Sequence, residues 1–341
     1  MNFLPRNKLL FFGLSLLFVL LAISYWFSLR PPSQTLFPKT VMVKKGMSLR
    51  AISSLLEQEG IIRSRTLFIG MANLIGKKNK IKSGEYEFLL PSHPWEVLDI
   101  LVDGQVKRSL VTIVEGYTLS QIAHLLEELN IVEKKAFVQK ATSAAFISLL
   151  ELPHSPGPTL EGYLFPDTYH LTKEMDPEKV IQMMTQQFKK IFTPELAHGA
   201  YPLGISPREA VILASIIEKE TSLRDEKSIV SAVFHNRLKR KIPLQSDPTV
   251  IYGIINFDGN LKRQDLLRRT PYNTYLIQGL PPTPICNPGK DSLLAALSPA
   301  PVPYLYFVSK NDGSHHFSST MEEHERAVWQ YQKRGLRKVT K

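Results

Sequence analysis

Residues 9–29 read LLFFGLSLLFVLLAISYWFSL, twenty-one residues without a charge. A run of that length constrains the chain before anything else does. As a helix rising about 1.5 Å per residue it spans a hydrocarbon core of about 30 Å. Tyr25 and Trp26 suit the interfacial belt at one end. A cleaved signal peptide is the competing reading. Ala22-Ile23-Ser24 is a poor cleavage site, and the apolar run continues past it through Leu29, so an uncleaved anchor is expected. Residues 1–8 then form a short cytoplasmic N-terminus. Residues 30–40, RPPSQTLFPKT, form a semi-rigid spacer. Charge does not orient the span, because Arg6 and Lys8 on one side face Arg30, Lys39 and Lys44 on the other.

Of 341 residues, 43% are hydrophobic and 21% charged, which excludes wholesale disorder. The lone Cys286 excludes an internal disulfide framework and a cysteine-based zinc site. Lys and Arg number 42 against 31 Asp and Glu, a net charge of +11. Such a chain suits an anionic polymer or a membrane surface. No basic helix carries interleaved stacking aromatics, so nucleic acid is not an expected partner.

A repeat organises the next part. Residues 41–62 align without a gap to 111–132, and eight of the 22 positions are identical. Each copy reads as a short strand, a glycine turn at Gly46 or Gly116, an N-cap at Ser48 or Thr118, and an amphipathic helix. The helix ends near Gly60 or Asn130. The pattern resembles a LysM-like glycan-binding unit. Between the copies, 82–104 reads as strand, proline-marked turn and helix. The proline-rich loop 151–159 reads as a boundary, so a repeat region over 41–150 and a second domain over 151–341 are expected, both α+β.

Chemistry concentrates in that second region. G-x-S-x-G, S-x-x-K, G-x-G-x-x-G and H-E-x-x-H are all missing, which removes the hardware of serine, dinucleotide and zincin chemistry. His315, His316 and His324 near Glu322 and Glu323 read as a solvated surface, and no metal is expected. Carboxylates remain. The segment 206–221 starts a helix with Ser206 as N-cap, Pro207 at the first position and Glu209 three residues past the cap. From Ala210 to Ile217 only Ser215 is polar, so this helix is buried. Glu218 lies on the stripe of Val211, Ala214 and Ser215. Burial and the negative end of the helix dipole favour its protonated form, the one a general acid needs. A solvated helix end is the plainer alternative. Rival acids are Glu161 and Asp167 in LEGYLFPDTYHL, and Asp247 after Gln245 and Ser246 in PLQSDPTVIYGI. Ser246 or Asp247 could equally cap the helix opened by Pro248. Residues 270–289 form a long, proline-stiffened loop with Tyr272, Asn273, Thr274 and Tyr275, the kind that carries function.

The stretches LEGYLFPDTY, LASIIEKET, VFHNRL, LQSDPTVIYG and YNTY…GLPPTPI-x-NPG, in this order, resemble the YceG-like family of endolytic murein transglycosylases. The resemblance, with the anchor and repeat ahead of it, covers nearly the whole chain. It implies a single-pass protein of the bacterial inner membrane with its C-terminal domain in the periplasm. It implies cleavage of the MurNAc–GlcNAc β-1,4 bond in nascent peptidoglycan strands to 1,6-anhydro ends, with no cofactor. Peptidoglycan synthases are the protein partners it suggests. The first acid of E-K-E-T, Glu218, is the implied catalytic residue. Glu161, Gln245, Ser246, Asp247, Tyr272, Asn273, Thr274, Tyr275 and Asn287 are the expected substrate contacts. Two alternatives stand beside this. One is a membrane-tethered, non-catalytic peptidoglycan-binding adaptor. The other is a hydrolytic muramidase that uses Asp247 or Glu161 to activate water.

Overall fold

The computed structural model describes residues 14–16, 19, 30–31, 37–152 and 157–333. The expected N-terminus 1–8, most of the expected span 9–29 and residues 32–36 of the spacer lie outside the described residues. Among the described residues no helix is long and apolar enough to cross a membrane.

The chain divides into two compact units, Met1–Ser109 with Thr172–Glu174, and Leu110–Leu171 with Met175–Lys341. In the first, β1 (Lys39–Val43) pairs antiparallel with β2 (Gly84–Phe88), Lys39 opposite Phe88 and Val43 opposite Gly84. Alternation turns Val41, Val43, Tyr86 and Phe88 inward. Between the strands run α1 (Leu49–Gln58) and α2 (Arg65–Leu74), capped by Ser48 and Ser64. After β2 comes α3 (Pro94–Asp103), which stops at left-handed Gly104. Ile52, Leu56, Phe68, Val97, Leu98 and Leu101 close the core over the strand pair.

The second unit opens with the second repeat copy. It has β3 (Ser109–Thr112), then α4 (Leu119–Glu128) behind a Thr118–Gln121 capping box, α5 (Lys134–Ala141) and α6 (Ala144–Leu149). The two copies match in detail. Glu57 and Glu127, identical in the alignment, each accept the first N–H of the following helix, from Arg65 and Lys134, at 2.9 Å. Ile61 and Ile131 N–H close back on Leu56 and Leu126 at 2.8 and 2.9 Å, with left-handed Gly60 or Asn130 between. The likeness also runs past the aligned residues. Strand β3 pairs with β4 (Thr168–Leu171), as β1 pairs with β2.

This pairing corrects the expected boundary at 150. The units divide between Ser109 and Leu110 instead. The apolar face of the second copy, Ile122, Ala123, Leu126 and Phe137, belongs to the same core as Leu160, Tyr163, Phe188, Val211 and Leu213. Prolines at 151–159 stiffen a connection; they do not sever a core that continues on both sides of it.

The rest of this unit is mainly helical: α7 (Pro177–Ile191), α8 (Pro194–His198), α9 (Pro207–Glu220), α10 (Arg224–Lys239), α11 (Asp247–Tyr252) and α12 (Lys290–Leu297). The antiparallel hairpin of β5 (Tyr306–Ser309) and β6 (His315–Ser318) follows, then α13 (Met321–Val328). Helix α9 is central and packs on α10 and α12. Every residue from Ala210 to Ile217 is buried, as the unbroken apolar run requires.

Candidate active site

Helix α9 starts as its sequence directs. Ser206 Oγ accepts Glu209 N–H at 3.2 Å, and Glu209 Oε2 accepts Ser206 N–H at 2.7 Å. Its one polar interior residue docks the long loop. Ser215 Oγ accepts Ile285 N–H at 3.0 Å, and the Cys286 thiol donates to Ser215 O at 3.2 Å. Three residues further on, Glu218 has a side chain only 7% exposed. Lys227 Nζ, from α10 and 5% exposed, lies 3.1 and 3.2 Å from its two oxygens. Gly289 N–H, at the start of α12, donates to Oε2 at 2.9 Å. The buried acid is therefore where the helix pattern put it. The lysine was missed, although a signal existed: Lys227, Val230, Phe234 and Arg237 share one helical stripe, so two cations lie on an apolar face.

Glu220 points away from Glu218, since two residues turn a helix by about 200°. It lines a cavity of about 400 Å³ together with Arg237, Gln245, Asp247, Tyr275 and His315. Ser246 Oγ donates to Glu220 at 2.5 Å, and the Tyr275 hydroxyl to Asp247 at 2.6 Å. Arg237 is clamped by the carbonyls of Leu305, Pro243 and Leu244 at 2.7–3.0 Å. Burial pushes the Glu220 carboxyl up to about 7; the Asp247 charge adds to this, while Ser246 and Arg237 oppose it.

The expected contacts thus part company. Gln245, Asp247 and Tyr275 line the cavity beside Glu220, away from Glu218. Tyr272 is half-buried, its hydroxyl 2.8 Å from Thr283 and its ring against Tyr252. The remaining five are supports rather than contacts, because each is at most 2% exposed and spends its polar atoms internally. Asn273 donates to Leu266 and Arg268 carbonyls at 3.0 and 2.8 Å. Thr274 Oγ1 accepts Ser246 N–H at 3.0 Å. Asn287 Oδ1 accepts Gly162 and Leu164 N–H, both at 2.9 Å. Its Nδ2 donates to Tyr117 O and Glu161 Oε1 at 3.0 Å. Glu161 also accepts Leu119 N–H at 2.9 Å and the Tyr252 hydroxyl at 3.0 Å. It anchors the N-terminus of α4. Gly162 must be glycine: at φ +88° a β-carbon would meet Pro284 Cγ at 2.5 Å. The histidine group is half-buried rather than solvated, with His315 Nδ1 2.7 Å from Glu226 and His324 stacked on Tyr306.

The buried Glu161 makes a testable contribution to stability. Burial pushes its carboxyl up to about 7 from 4.5, against the hydrogen bonds of Leu119, Tyr252 and Asn287. The stability gained by binding that proton is complete below about pH 4.5 and is lost as pH climbs through about 7. The effect is up to roughly 3 kcal/mol. Melting temperatures measured across this window are expected to fall less in Glu161→Gln than in the parent. Some slope remains, because Glu220 titrates with the same sign.

The sequence profile of the YceG-like family matches residues 41–330. The chain belongs to the YceG-like family. An endolytic murein transglycosylase of Bacillus subtilis (strain 168) is 31% identical over 307 residues, covering 85% of this chain and 84% of that one. An endolytic murein transglycosylase of Streptococcus pneumoniae serotype 2 (strain D39) is 28% identical over 318 residues, and the match spans 57% of its length. The crystal structure of a YceG-like protein from Listeria monocytogenes superposes with a TM-score of 0.59 at 28% identity. It covers 85% of this chain and 98% of that one. Likeness to that YceG-like structure extends the agreement from motifs to the mixed α+β fold.

Proposed function

We propose that this YceG-like chain is an endolytic murein transglycosylase with Glu218 as its acid–base residue. One observation carries the site: a carboxylate directly after the buried run Ala210–Ile217, held by Lys227 and the Gly289 N–H. Glu218 gives a proton to the leaving oxygen of the MurNAc–GlcNAc bond at an oxocarbenium-like transition state. As carboxylate it then takes the proton of the MurNAc C6 hydroxyl, whose oxygen closes on C1 as a 1,6-anhydro end. One residue serves both steps, provided the sugar is oriented and water is kept out.

The hydrolytic alternative named Glu161 or Asp247 as its water-activating base. Glu161 is buried in its own network, and Asp247 faces the cavity on the Glu220 side. That placement favours the lytic product. The β–α–α–β order of the first unit supports a LysM-like, glycan-contacting role for residues 39–88. The uncharged run 9–29 supports an inner-membrane anchor with the described units in the periplasm, near peptidoglycan synthases.

Digestion of purified peptidoglycan by the full chain, read by mass spectrometry, tests the reaction. Anhydro-muramyl ends are expected. Reducing ends would make the enzyme a hydrolase. Binding without new ends would leave the adaptor.

A further inference from the structure

Glu115 precedes the turn glycine of the second repeat copy, and that turn is clamped to the start of α12. Gly116 N–H donates to Asn287 O at 2.9 Å, and Asn287 N–H to Tyr117 O at 2.8 Å. The clamp lays the Glu115 carboxylate against Gly289, in the space a β-carbon on residue 289 would occupy. The same glycine donates its N–H to Glu218, and a β-carbon on Gly116 would lie 3.7 Å from Glu218 Cγ. Two carboxylates from distant parts of the chain thus meet at one glycine. Glu218 is enclosed and ion-paired; Glu115 is the more exposed of the two, with its carboxylate end partly covered at Gly289.

We propose that Glu115 is the second carboxylate of the cleavage site, a positioning residue whose charge offsets Lys227 and keeps a proton available to Glu218. The inference rests on the catalytic reading of Glu218. Lys227 favours two ionised carboxylates; a like charge alongside does the reverse. Burial and then the Glu218 charge hold the Glu115 carboxyl above its ordinary value, Lys227 opposes them, and Asp291 adds to them. Among the described residues, Lys219, whose Nζ reaches Gly116 O at 3.5 Å, and Arg224, paired with Asp291 at 3.1 Å, also bring charge to this region.

The test is the pH profile of strand cleavage by the full chain. A rate that depends on an acid falls as pH rises, and removing the Glu115 charge moves that fall to lower pH. Glu115→Gln is expected to cleave about tenfold more slowly at neutral pH, with KM unchanged. It should converge on the parent at acid pH, where Glu115 is protonated anyway. Glu115→Asp should restore most of the parent profile. Gly289→Ala is an independent route. Its φ of −77° suits any L residue, it keeps the N–H to Glu218, and its β-carbon displaces only the flexible end of Glu115. It should reproduce the Glu115→Gln shift. An unchanged profile, or a loss equal at every pH, overturns the proposal. So does a parent that makes reducing ends which vanish in Glu115→Gln, since Glu115 would then be a base for water. If Glu218→Gln itself cleaves like the parent, the catalytic reading beneath fails, whatever Glu115 does.

Discussion

Glu218→Gln leaves a folded chain that no longer cuts glycan strands. The amide keeps the shape of the carboxyl and can still accept from Lys227 and Gly289 N–H. It cannot give a proton to the leaving oxygen or take one from the C6 hydroxyl, so both steps lose their carrier. A loss of at least about a thousandfold is expected, within the range that positioned proton transfer supplies. Counting anhydro-muramyl ends by mass spectrometry measures it. Stability needs a separate control. Lys227 is 5% exposed, and neutralising its partner leaves a buried ammonium less well compensated. The double variant Glu218→Gln with Lys227→Met removes that charge as well. It should recover stability and stay inactive, which separates lost chemistry from lost fold.

Asn287→Ala is the second large effect, and it is one of stability. All the hydrogen-bonding capacity of this fully buried amide is in use, binding the 161–164 segment, the Tyr117 turn and Glu161. Tyr117 O and Glu161 keep other donors after truncation. Gly162 and Leu164 N–H lose the acceptor that serves both. Each stranded buried group costs about 1–3 kcal/mol, and a cavity adds to that. The expected loss is roughly 3–5 kcal/mol. A fall in melting temperature on the order of 10 °C follows for a unit of this size, readable by circular dichroism.

Local rules in this chain were legible residue by residue. Ser48, Thr118 and Ser206 cap the helices their positions announce, because an N-cap is settled by atoms within three residues of it. The apolar run from Ala210 to Ile217 leaves α9 no choice but burial. The gapless repeat became two matching strand–helix–helix units for the same reason. What sequence could not separate is contact from support. Ser246 and Asp247 are adjacent in sequence and Thr274 bonds Ser246 N–H, yet Asp247 faces the cavity while the other two are sealed behind it. Glu161 among aromatics reads as a sugar contact; it is in fact the acceptor at the first turn of α4. Lys227 and Glu115 reach Glu218 only through the packing of three separate elements, and no local spacing encodes that.

The single thiol has a use of its own. Cys286 is fully buried, its Sγ–H tied to Ser215 O on the central helix, and burial holds its thiol well above the usual range. A thiolate is the reactive form, so in the closed molecule this sulfur resists alkylation and cannot cross-link two copies. It becomes available only when residues 285 and 286 lift from α9. The rate at which a thiol reagent modifies the native chain therefore clocks the opening of that seam, and comparing it with global melting tells whether the loop breathes independently of the rest.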